Sequence, residues 1–131
     1  MLNVKTGNSI NPNAAAAGKE AAAMVKENLT DMKMAFVYSG VQYDQKELLA
    51  SIASELPGVP LIGNTSFTGV ITPDGYISAD DGFTGIMALS DADLTVGVAG
   101  MPKEGTARQT GHKETVSILT LQLPAKKQQQ W

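Results

Sequence analysis

The apolar positions of this chain keep helical spacing in some stretches and run almost unbroken in others, and those changes predict its elements. In NPNAAAAGKEAAAMVKENL, Ala17, Ala21, Met24, Val25 and Leu29 recur at helical spacing. Asn11 is placed to cap that helix, and Pro12 suits its first turn. A stripe made mainly of alanine lets the helix lie close against a sheet. MAFVYSG, residues 34–40, is a nearly continuous apolar run of β formers and predicts a strand buried on both faces. Asp44 and Glu47 then stand at capping-box spacing before Leu48, Leu49, Ile52 and Leu56, an amphipathic helix closed by Pro57 and Gly58. VPLIG follows as a second buried strand. Strand, helix and strand form a βαβ unit, and such a crossover makes the two strands parallel.

Beyond this unit the pattern alternates over shorter stretches. Val70 to Thr72 and Tyr76 to Ser78 flank Pro73-Asp74-Gly75 and read as a hairpin. Phe83 to Leu89 and Leu94 to Ala99 are further strand candidates, with Ser90 to Asp93 as the turn between them. Pro102 to His112 is polar and rich in turn residues. A helix is expected from about Lys113 to Leu123, followed by a frayed tail. The fold class expected is α/β: a mixed sheet with an early parallel βαβ unit, then an antiparallel meander, with helices packed on the sheet. One domain is expected over 131 residues, with its core at about 10–123 and a disordered tail at 124–131.

Composition removes several classes of function. The formal net charge of -3 provides no basic footprint for nucleic acid and no attraction to anionic lipid. With no cysteine, disulfides, thiolate metal sites and thiol catalysis are excluded. No apolar run approaches the ~20 residues of a membrane helix, and no signal-peptide core stands at the N-terminus. A soluble cytoplasmic protein is expected, with no cofactor and neither nucleic acid nor membrane as partner.

The candidate chemistry lies where the parallel strands end. Open α/β sheets bind ligands beyond the carboxyl ends of their strands. The first strand exits through Ser39 and Gly40 toward Tyr43. The second exits into GNTSFTG, which holds Gly63, Asn64, Thr65, Ser66, Thr68 and Gly69. Glycines permit close backbone approach, and the hydroxyls and amide offer uncharged donors and acceptors. The N–H groups opening the second helix favour an anion such as a carboxylate. For each residue alone, a tight turn explains the letter as well; two loops converging on one edge is the stronger signal. The catalytic inventory is thin. His112 is the lone histidine and stands in a polar segment. Asp80 and Asp81 read as solvated acids, and His112 with Glu114 is too sparse for a metal. Ser39 and Ser66 lack a G-x-S-x-G surround, and no phosphate-loop signature is present.

The order of these signals, with the P-L-I-G-x-T-S-x-G-V-I core at 60–71 and the following Gly75-Tyr76, resembles the N-terminal part of the FIST domain family. Supporting similarity runs over about residues 10–100 as apolar patterning. The resemblance implies an intracellular sensory module that binds a small ligand, amino acids being the candidates, and passes its state to a signalling protein. It also implies a non-enzyme. The family loop often carries Cys after the strand-ending glycine, where this chain has Asn64, so any role of that thiol is lost here. The family usually has a longer N-terminal region and a further C-terminal domain, so the chain corresponds to a shortened domain. The expected ligand-binding residues are Ser39, Gly40, Tyr43, Gly63, Asn64, Thr65, Ser66, Thr68 and Gly69. The alternatives are a small hydrolase using Ser39 or Ser66, and a scaffold fragment that forms homo-oligomers through an unpaired sheet edge.

Overall fold

Alanine and glycine decide how the first layers meet. In the computed structural model, which describes residues 1–122 and side chains through residue 115, β1 (Asn3–Ser9) is followed by α1 (Ala14–Lys26). Ala17, Ala21 and Ala22 are fully buried, as the alanine stripe requires. The close approach goes further than alanine. A Cβ on Gly7 of β1 would lie 2.1 Å from the Ala21 carbonyl oxygen, and one on Gly18 would lie 2.0 Å from Ser51 Oγ. The helix is capped by Asn13, whose side chain accepts from the Ala16 N–H at 2.8 Å. Asn11, expected to cap it, instead accepts from the Asn13 N–H at 3.0 Å and shapes the approach to the helix. Met24, expected on the buried stripe, is 43% exposed.

The βαβ unit forms as its pattern predicts: β2 (Met34–Gly40), α2 (Gln45–Glu55) and β3 (Leu61–Ser66), with β2 and β3 parallel. Asp44 caps α2, accepting from the N–H groups of Lys46 at 2.9 Å and Glu47 at 3.1 Å. Leu48, Ile52 and Leu56 enter the core with Val25, Ala35, Val37 and Ile86, while Leu49 faces solvent. After β3 come β4 (Val70–Thr72), β5 (Gly75–Ile77) and β6 (Thr84–Ser90).

The main sheet has the order β1-β6-β2-β3, with β6 antiparallel to both neighbours. The α/β class and mixed sheet agree with the sequence reading; the placement of the later strands differs. β4 and β5 form the expected hairpin, but as a separate two-stranded sheet. β6 inserts between β1 and β2. Both sides of β6 are then occupied, and the chain leaves the sheet through a turn closed by the Leu94 N–H on the Asp91 carbonyl at 3.1 Å. Residues 94–99 carry no strand. The two strands expected to be buried on both faces are not: β3 is an edge strand, and Tyr38 on the far face of β2 is 40% exposed.

The chain divides into two units, Met1–Thr95 and Val96–Trp131. The second contains α3 (Ala107–Gln122), which starts six residues before the expected Lys113. Leu123 and the expected tail at 124–131 lie outside the described residues.

Candidate functional site

Pairing of the parallel strands fixes the rim. Ser39 is the register partner of Thr65, and Gly40 that of Ser66, so both carboxyl ends reach the same edge of the sheet. Hydrogen bonding to β2 carries β3 through Ser66. Asn64, Thr65 and Ser66 therefore belong to a strand, not to the loop expected from their composition. Side chains alternate across a strand. Thr65 thus shares the helix-facing side with Ser39, while Asn64 and Ser66 share the other side with Tyr38 and Gly40.

The first half of the rim is filled by the protein's own groups. Ser39 is 2% exposed and donates to Gln45 Oε1 at 2.7 Å. Gln45 Nε2 donates to the carbonyls of Gly40 at 3.0 Å and Tyr43 at 3.1 Å. Gln45 thus ties the strand exit to the start of α2. A Cβ on Gly40 would lie 2.2 Å from Gln42 Oε1 and 3.1 Å from the Phe83 ring. Tyr43, expected as an apolar ligand wall, is 5% exposed, and its hydroxyl donates to the Asn11 carbonyl. Gly82, at φ +132°, lets the backbone lie against the Tyr43 ring, where a Cβ would stand 2.2 Å away. Burial pushes the Tyr43 phenol above its ordinary range, and the Glu20 charge adds to the shift. The α2 N–H groups expected to attract an anion already have the Asp44 carboxylate.

The second half is open. Gly63 holds its backbone against Val37, with a Cβ position 1.7 Å from the Val37 carbonyl oxygen. Asn64, Thr65 and Thr68 are exposed, and the side chains of all three make no hydrogen bond among the described residues. Ser66 Oγ donates to the Gly69 carbonyl, and Gly69 lies under the Tyr76 ring. The Thr68 carbonyl accepts from Tyr76 Oη at 2.7 Å and from Ser78 Oγ at 2.5 Å.

The arrangement offers neutral donors and acceptors at an exposed strand end, with no charged side chain among the nine residues. Neither Ser39 nor Ser66 bonds to a histidine or carboxylate among the described residues, the contact that would activate a serine. Among the described residues no group of three or more His, Cys, Asp or Glu is placed to hold a metal, and no helix is long and apolar enough to cross a membrane. Gln45 was missed by the sequence reading; its only signal was its place directly after a capping aspartate.

No curated protein and no solved structure matches the chain. A family model described as FIST N domain matches residues 33–127. The match takes in β2, α2, β3 and the hairpin, and so both halves of the rim. Spanning well over half of the sequence, it shows that the chain belongs to the FIST N domain family, a family of sensory and signalling domains.

Proposed function

We propose that the chain is an intracellular sensory module that binds a small ligand, an amino acid, at the open half of the β2–β3 rim, and that its occupancy is read by a signalling protein. The register of Ser39 with Thr65 and Gly40 with Ser66 carries this reading, because it brings both strand ends to one edge. Family membership supports the sensory role. The closed half, built from Ser39, Gly40, Tyr43 and Gln45, serves as a rigid wall. Asn64, Thr65 and Thr68 supply contacts from the exposed half. Gly63, Ser66 and Gly69 hold the backbone that presents them. Thermal melting of the chain across an amino-acid panel tests the reading. A ligand at a hundred times its dissociation constant stabilises by about 2.7 kcal/mol. The expected result is a raised midpoint for one or a few members, reduced in Thr65→Val and Asn64→Ala. A midpoint unmoved by every member at high millimolar concentration counts against it.

One observation favours a second reading, association between copies. β3 is an edge strand whose six residues, LIGNTS, include no charge and no proline, the usual devices that keep edges apart. Light scattering at high concentration is expected to detect a dimer on this reading, and Asn64→Lys to return it to a monomer.

A further inference from the structure

The face of the four-stranded sheet turned away from α1 and α2 carries no charged residue. Gly7, Ala35, Val37 and Ile86 mark the helix side: a Cβ on Gly7 would meet the Ala21 carbonyl oxygen, and the other three enter the core. Side chains alternate along a strand, so the register sets out the opposite side in rows. Thr6, Met87, Phe36 and Ile62 form one row across all four strands, and Val4, Leu89 and Met34 form the next. Val4, Met87 and Ile62 are exposed. The adjoining row, Asn8, Gly85, Tyr38 and Asn64, is partly roofed by the β4–β5 hairpin, because a Cβ on Gly85 would lie 3.1 Å from Val70 Cγ2. The hairpin thus covers one half of this face and leaves the other half bare.

The hairpin is itself two-sided. Val70 and Ile77 pair across it on the side facing the sheet. Ile71 and Tyr76 pair on the other side and are 89% and 59% exposed. One side of the molecule therefore presents a protruding apolar ridge next to a bare apolar floor. Together they expose an area on the order of the 800 Å² that each partner contributes to a stable interface, more than the largest apolar patch of an ordinary monomer. With no charge on the floor, nothing there selects a partner of opposite sign. The shape that fits it is the ridge of an identical molecule. A two-fold axis parallel to the sheet brings ridge to floor twice, as a self-complementary contact requires. We propose that this face binds a second copy of the chain, with Ile71 and Tyr76 of each copy seated on Phe36, Ile62 and Met87 of the other. The two hairpins then form a shared layer between two sheets, each filling the half that the other sheet leaves bare. The contact uses neither the polar groups of the β2–β3 rim nor the backbone edge of β3, so it stands apart from ligand binding and from edge pairing.

Sedimentation of the full chain at rising concentration tests the inference, together with nuclear Overhauser spectra of dimers mixed from labelled and unlabelled copies. A dimer is expected, with cross-peaks between copies from the Ile71 methyls to the Phe36 ring and the Met87 methyl. Ile71→Asp, at a position open to solvent in the single chain, is expected to keep the spectrum of a folded protein. It is expected to weaken association about a hundredfold, because two-fold symmetry removes the contact twice. Dissociation by Asn64→Lys but not by Ile71→Asp assigns the dimer to the β3 edge and overturns the proposal. A chain that stays monomeric at high micromolar concentration overturns it as well. So do Ile71 cross-peaks confined to one copy, which would show the ridge covered by its own chain.

Discussion

Gly63 shows how one residue can carry two readings that only coordinates separate. As a letter in GNTSFTG it suggested a backbone left bare for a ligand. In the fold its missing side chain is explained by the Val37 carbonyl, 1.7 Å from where a Cβ would stand. Backbone is an unyielding neighbour, so Gly63→Ala is expected to push β3 from β2 and cost about 1–3 kcal/mol. Thr65→Val, at an exposed position, is expected to stay within about 0.5 kcal/mol. Urea unfolding of the two variants measures the difference; a neutral Gly63→Ala would return the glycine to the ligand reading. Ser39 and Tyr43 have a similar history. Their place at a strand exit was legible, because apolar runs mark strands and a crossover sets their direction. That Gln45 would fold back on both was not, since a single amide after a cap leaves no periodic trace.

At the scale of elements, legibility followed how each one buries itself. β2, α2 and β6 carry enough aliphatic side chains to show their period. β1 was invisible because its inward positions are Gly7 and Ser9, with α1 resting on the strand backbone instead of on apolar side chains. The start of α3 was legible in principle. Thr106 and Gln109 form a reciprocal cap, with Thr106 N–H donating to Gln109 Oε1 at 3.0 Å and Gln109 N–H to Thr106 Oγ1 at 3.3 Å. The polar run around them hid that spacing. The Asp44 cap was read correctly and is the easiest element to weigh. Its carboxylate answers two backbone N–H groups that otherwise have no helical partner. Asp44→Ala is expected to cost about 1 kcal/mol, with Asp44→Ser recovering most of it, measured by denaturant midpoints. Because Gln45 is the first residue of α2, directly after the cap, the same change is expected to loosen the closed half of the rim.

Across the Met1–Thr95 unit, one polar chain ties together parts far apart in sequence. Glu20 on α1 accepts from Ser9 at the end of β1 and from Asn11 Nδ2 at 2.8 Å. The Asn11 carbonyl in turn accepts from Tyr43, between β2 and α2. Strand, helix and crossover are thus joined at one carboxylate. The Ser9 hydroxyl first, and the Asn11 amide second, hold the Glu20 carboxyl below its ordinary 4.5, against a smaller opposing effect of burial. A carboxyl depressed in the folded state binds its proton less readily than in the unfolded chain. Its stabilisation is therefore fully present above the unfolded value and disappears as pH falls through the folded one. Glu20→Gln keeps an acceptor for Ser9 but has no charge to lose. Melting temperatures of both chains, followed from neutral pH down through the carboxylate range, are expected to converge as the medium becomes acidic, with the native chain the more stable at neutral pH. A gap of constant size at every pH would mean that Glu20 acts by shape alone. The ionised link would then contribute nothing to holding β1 and α1 against the strand that leads to the rim.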